Sequence, residues 1–121
     1  MSKKRILIVD DAPVVRLVLR NILEGNGYEV IGEAANGQEG VAKYSELKPD
    51  LVTMDIVMPE MNGIDALKKI LEIDKAAKII MVTAIDQRTY LLEAINAGAY
   101  DYIVKPFEDT RILSTLKKAL G

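Results

Sequence analysis

The stretch Leu51-Val52-Thr53-Met54-Asp55 opens with four residues that show no polar alternation beyond a single Thr and closes on an acid. A strand with one wet face alternates apolar and polar residues. A run this uniform is expected to be covered on both faces, as strands of a parallel sheet are. Ile6-Leu7-Ile8-Val9 and Ile79-Ile80-Met81-Val82 have the same character, and Tyr28-Glu29-Val30-Ile31 and Tyr100-Asp101-Tyr102-Ile103-Val104 add two further β-rich runs. The five start at positions 6, 28, 51, 79 and 100. Each interval has room for one helix and two loops.

The intervening segments read as helices. From Pro13 to Leu23, Val14, Val18 and Ile22 recur every four residues, Pro13 suits a first helical turn, and Gly25 and Gly27 suit the stop. Gln38 to Leu47, Ile64 to Ile73 and Arg88 to Ala97 follow, the last closed by Gly98; Gly37 and Gly40 lower the propensity of the first. Toward the end, Ile112, Leu113, Leu116, Ala119 and Leu120 mark one helical face, with Lys117 and Lys118 near the negative end of the helix dipole. Five strands alternating with five helices predict an α/β fold, a doubly wound (βα)5 flavodoxin-like sandwich with a parallel five-stranded sheet. The common strand order for such a sheet is 2-1-3-4-5, and its ligands collect outside the carboxyl ends of the strands, where the order reverses.

Composition bounds the chemistry. The 121 residues, half of them apolar, suit one domain spanning 1–121, which at this size buries roughly two thirds of its unfolded surface. With no Cys and no His, the usual zinc sites, thiol chemistry and imidazole bases are excluded, so reactivity must rest on carboxylates, hydroxyls and amines. Sixteen basic against eighteen acidic residues leave a net charge of -2 and no basic footprint for nucleic acid. No apolar stretch approaches the ~20 residues of a membrane span, and Met1 to Arg5 shows no secretory leader, so a cytoplasmic protein is expected. A stand-alone domain without an output module, acting as a monomer, is expected.

The expected strand ends carry Asp10-Asp11, Asp55, Thr83 and Lys105-Pro106. Singly, an Asp or Thr after a strand is a cap or turn former. Jointly, three carboxylates, a hydroxyl and an amine meet at the rim where this architecture places its sites. Clustered carboxylates repel, so such a site holds protons back or holds a cation. An all-oxygen donor set favours Mg²⁺ or a similar hard ion such as Mn²⁺. Three carboxylates, one divalent cation and one ammonium are formally neutral, and a phosphoryl group added to one carboxylate would disturb that balance.

These residues, together with Val57-Met58-Pro59-Glu60-Met61-Asn62-Gly63 after Asp55 and with Thr83-Ala84 and Lys105-Pro106-Phe107, resemble the receiver domain of bacterial two-component response regulators. The likeness spans essentially the whole chain and is greatest to the stand-alone chemotaxis regulators. It implies that Asp55 is the phosphoacceptor for a phosphohistidine on a partner kinase. It further implies that Asp10, Asp11, Asp55 and the Val57 carbonyl hold Mg²⁺, that Lys105 pairs with phosphoryl oxygens, and that Ala84 leaves the acceptor approachable. The domain would then catalyse its own phosphorylation and dephosphorylation while acting chiefly as a signalling switch. In the family's switch Thr83 moves toward the new oxygens and the Tyr102 ring turns inward, and Lys105-Pro106 is a cis peptide.

The resemblance also points to surfaces. The apolar helix from Pro13 to Leu23 is expected to be mostly core, with Val14, Val15 and Leu17 docking the histidine-bearing donor. A flagellar switch component or other protein target would bind a face containing Tyr90, Ala94, Tyr100, Tyr102 and Lys117. Val57 and Ile85, both apolar where relatives often carry polar residues, are expected to deny the attacking water a foothold and lengthen the phosphoryl lifetime. A phosphorelay intermediate serving a histidine phosphotransfer protein is the alternative within the family. A flavin-binding protein of the same topology would need a phosphate-cradling loop where Asp10-Asp11 instead repels phosphate. An aspartyl-nucleophile phosphatase would need its nucleophile two residues before another Asp on the first strand, whereas Asp10 and Asp11 are adjacent.

Overall fold

The computed structural model describes residues 3–84 and 86–121. Met1 and Ile85, on which two of the readings above fall, lie outside the described residues. The elements alternate as β1 (Arg5–Val9), α1 (Pro13–Glu24), β2 (Glu29–Ala34), α2 (Gly37–Leu47), β3 (Leu51–Met54), α3 (Gly63–Ile73), β4 (Ile79–Ala84), α4 (Arg88–Ala97), β5 (Asp101–Lys105) and α5 (Asp109–Leu120). The strands form one parallel sheet in the order β2-β1-β3-β4-β5, as expected.

The uniform runs are buried on both faces because their side chains alternate between two cores. Leu7, Val9, Val52, Met54, Ile79 and Met81 face a cluster completed by Ile64, Leu67 and Ile70 of α3, Tyr44 of α2 and Ala94 of α4. Ile6, Ile8, Leu51, Ile80 and Val82 face Leu19, Ile22 and Leu23 of α1 and Ile112, Leu116 and Ala119 of α5. Each fully buried Leu or Ile contributes about 1.5–3 kcal/mol, so this three-layer sandwich is specified mainly by β1, β3 and β4. The edge strands β2 and β5 keep partly exposed residues and the weaker sequence pattern.

Two helical faces differ from the sequence reading. In α1 the inward stripe is Val15, Leu19, Ile22 and Leu23, whereas Val14 and Val18, which set the period of four, are 71% and 42% exposed. The spacing identified the helix but not its buried side. Four of its seven apolar residues therefore pack into the core, as expected, while Val14, Leu17 and Val18 are exposed. In α4, Ala94 is fully buried against the α3 side of the sheet and cannot belong to an exposed binding face.

A close backbone approach explains Gly37, which lowers the helix propensity of α2. A Cβ on Gly37 would lie 2.3 Å from the Met61 carbonyl oxygen, which already accepts a hydrogen bond from Gly37 N–H at 2.9 Å. Tight contact between the start of α2 and the loop after Asp55 requires a residue without a side chain here. Asn36 and Asn62 cap α2 and α3, their side-chain oxygens accepting from the N–H groups of Glu39 and Asp65.

Candidate functional site

The loop after β3 determines how Asp55 is presented. Gly63 N–H donates to the Ile56 carbonyl at 2.7 Å, folding the loop back on itself, while Glu60 takes a left-handed φ of 69°. Asp55 N–H donates to the Val9 carbonyl, keeping the acid in register with β1. Its carboxylate is thereby held at the carboxyl edge of the sheet, 6% exposed, with Oδ1 accepting from Ile56 N–H at 2.8 Å.

Asp10 follows β1 and is also buried, whereas Asp11 is exposed. One carboxylate oxygen from each of Asp10, Asp11 and Asp55 lies within 4.8 Å of the others. Into this cluster reaches Lys105 from the end of β5, its Nζ 2.9 Å from Asp10 Oδ2 and 3.5 Å from Asp55 Oδ1. Burial of the Asp55 carboxyl, reinforced by the charge of Asp10, pushes its pKa up to about 6 against the pull of the Lys105 ammonium and the Ile56 N–H, and Asp11 adds to the rise. One ammonium does not neutralise three acids. With oxygen as the only donor, the cluster suits a hard divalent cation.

Thr83, near the end of β4, lies two residues past Met81, the partner of Met54, so it stands on the strand beside Asp55. It is buried, and Ala84 next to it is paired with Lys105. The sheet thus brings Asp10, Asp11, Asp55, Thr83, Ala84 and Lys105 to one rim. The Lys105-Pro106 bond is cis, as the resemblance implied.

A family model for the response regulator receiver domain matches residues 6–117. The chain belongs to that family. The receiver is 59% identical over 115 residues to the chemotaxis protein CheY of Thermotoga maritima, covering 95% of this chain and 96% of that one. It is 55% identical over 117 residues to CheY of Bacillus subtilis, covering 97% and 98% of the two chains. Among solved structures it is similar to a chain in the CheX-CheY-BeF3-Mg+2 complex from Borrelia burgdorferi, with a TM-score of 0.92, 35% identity and coverage of 98% of this chain and 90% of that one.

The remaining residues singled out in the sequence sit around this rim. Tyr102 is 38% exposed and lines a small cavity of about 110 Å³ with Thr83, Ala84, Arg88, Leu91 and Val104. The Val57 side chain is half exposed, beside a depression it shares with Ile56, Met58, Asn62 and Tyr90.

Two contributors escaped the sequence reading. Arg16 of α1 donates to the Asp10 carbonyl at 2.6 Å while its Nε binds Glu33 of β2 at 3.0 Å, which anchors the backbone of the acidic pair from behind. Gln87 supplies an oxygen to both Thr83 and Ala84. Arg16 lies within a helix read for its apolar residues, and Gln87 lies four residues after Thr83; neither spacing matches a familiar chemical pattern.

Proposed function

We propose that this receiver accepts a phosphoryl group on Asp55 from a histidine kinase and passes the signal to a protein target in chemotaxis. The observation that carries the reading is the Lys105 ammonium seated between Asp10 and Asp55 in a site whose remaining negative charge invites a cation. Asp10, Asp11, Asp55 and the Val57 carbonyl would hold Mg²⁺ or Mn²⁺. Such an ion, when bound, supplies positive charge for the transferring phosphoryl oxygens. An Asp55 carboxylate oxygen attacks phosphorus, the bond from phosphorus to the donor imidazole nitrogen breaks, and an acyl phosphate forms. Lys105 neutralises phosphoryl charge, and Thr83 with the Ala84 amide offers hydrogen-bond donors to the new oxygens. Later attack by water on phosphorus restores the carboxylate.

The surroundings support docking of a histidine donor. Val14, Val15 and Val18 of α1 form an apolar groove of about 400 Å³ with Pro106, Phe107 and Lys105 itself. A donor helix resting there would bring its imidazole to the mouth of the site. For output, the cavity beside Thr83 offers the Tyr102 ring somewhere to turn, which would alter the face carrying Tyr90, Tyr100 and Lys117. The chemotaxis assignment draws on the CheY relatives, whose lengths this chain nearly matches.

Incubation with Mg²⁺ and acetyl phosphate, followed by mass measurement, tests the chemistry. Wild type is expected to gain one phosphoryl group and Asp55→Asn none; an equal gain in both excludes Asp55 as acceptor. Binding of the phosphorylated form to a flagellar switch component supports the chemotaxis role. Rapid phosphoryl loss to a histidine phosphotransfer protein would replace it with a relay role.

A further inference from the structure

Thr83 and Ala84 direct two donors at a single atom. The Thr83 hydroxyl donates to Gln87 Oε1 at 2.7 Å, and the Ala84 N–H donates to the same oxygen at 3.3 Å. Because a backbone N–H only donates, the Gln87 atom facing it is the oxygen and not the amide nitrogen. Thr83 has a second, longer contact to the Ala84 carbonyl at 3.4 Å, so Gln87 is its principal acceptor. These donors are the ones assigned above to the phosphoryl oxygens. One oxygen cannot be replaced by another without first leaving.

We propose that Gln87 is an internal latch, a positioning residue whose amide oxygen occupies the phosphoryl-binding donors of Thr83 and Ala84 until the modified Asp55 displaces it. The inference rests on the reading of Asp55 as phosphoacceptor. The latch is placed to transmit its release. Gln87 N–H donates to the Ala84 carbonyl at 3.1 Å, and the Gln87 carbonyl accepts from Leu91 N–H at 3.0 Å, so the residue joins the end of β4 to the first turn of α4. Arg88 and Leu91 of that turn line the cavity beside Tyr102. Freeing the Gln87 side chain therefore acts on the wall of the space into which the ring would turn. A ligand that must displace a competitor binds with an affinity reduced by the competitor's hold, and relief of that hold reappears as tighter binding.

Beryllofluoride with Mg²⁺, an anion with the shape of a bound phosphoryl group, serves as the probe. Gln87→Met keeps the length and removes the acceptor; Gln87→Glu keeps an acceptor and adds a charge that opposes the incoming anion. The Met variant is expected to bind beryllofluoride about three- to tenfold more tightly, the factor that one net neutral hydrogen bond supplies, and the Glu variant more weakly than wild type. Affinity for Mg²⁺ alone should stay unchanged in the Met variant. In nuclear magnetic resonance spectra of unmodified protein, the Ala84 amide proton of that variant should move upfield, having lost its acceptor, and move downfield on binding beryllofluoride, a pattern that loss of packing would not produce. Unchanged or weaker binding by folded Gln87→Met overturns the latch, as does undiminished binding by Gln87→Glu. Absence of beryllofluoride binding in wild type would instead overturn the phosphoacceptor reading.

Discussion

Gly63 rests directly on the backbone of Asp55: a Cβ at Gly63 would lie 1.9 Å from the Asp55 carbonyl oxygen and 3.0 Å from Ile56 Cα. The obstacle is main chain on both sides, so no rotamer change relieves it. Gly63→Ala is expected to destabilise the fold by at least about 3 kcal/mol, beyond ordinary overpacking, because the loop that presents the acid must open. Urea unfolding checks this, and a midpoint near that of wild type would contradict the close approach.

Thr53 carries the opposite liability. Its hydroxyl is fully buried in the middle of β3 without a hydrogen-bond partner among the described residues. Thr53→Val keeps the shape and removes the unpaired group, and should stabilise the protein by about 1 kcal/mol, seen as a higher urea midpoint at an unchanged slope. A loss of stability would mean that the hydroxyl is satisfied in solution.

Asp55 should impose a pH dependence in metal-free buffer. Its pKa rises from an ordinary 3.8 to about 6 on folding, so the folded form holds the proton more tightly. The stabilisation this proton provides is complete below the unfolded pKa and is lost as pH rises through 6. The stability advantage of Asp55→Asn over wild type is therefore expected to grow between pH 4 and pH 7 and then level off. A difference that is flat across that range would contradict the raised pKa.

Removing the central ammonium should separate binding from chemistry. Lys105→Met leaves the acids of the site less neutralised, so Mg²⁺ is expected to bind several-fold more tightly while phosphorylation by acetyl phosphate slows by at least about a hundredfold, the scale of losing one preorganised electrostatic contact. Titration by calorimetry and timed mass measurements read the two effects. If both fall together, Lys105 supports cation binding as well as charge neutralisation.

How much of this was legible in the sequence depended on whether a residue's job is local. Leu51–Met54 and Arg88–Ala97 have the ends expected of them because burial on both faces and a closing Gly98 leave marks on adjacent residues. β2 runs to Ala34, past the expected Ile31, because Gly32 and Glu33 hide an edge strand that bulges at Ile31. The rim residues were legible because strand ends in a parallel sheet converge by topology alone. The inward side of α1, the burial of Ala94 and the contacts of Arg16 and Gln87 depend on the angle at which a helix meets the sheet. A periodic pattern of Val14, Val18 and Ile22 does not encode that angle.

The apolar groove along α1 has a consequence for evolution. Because Lys105 is at once a wall of that groove and the counter-charge of the acids, whatever settles against Val14 and Val18 also determines how wet the ammonium is. Under the proposed function, cognate recognition and chemical speed would be welded into a single trait, and a lineage that retunes one for a new kinase would inherit an altered clock.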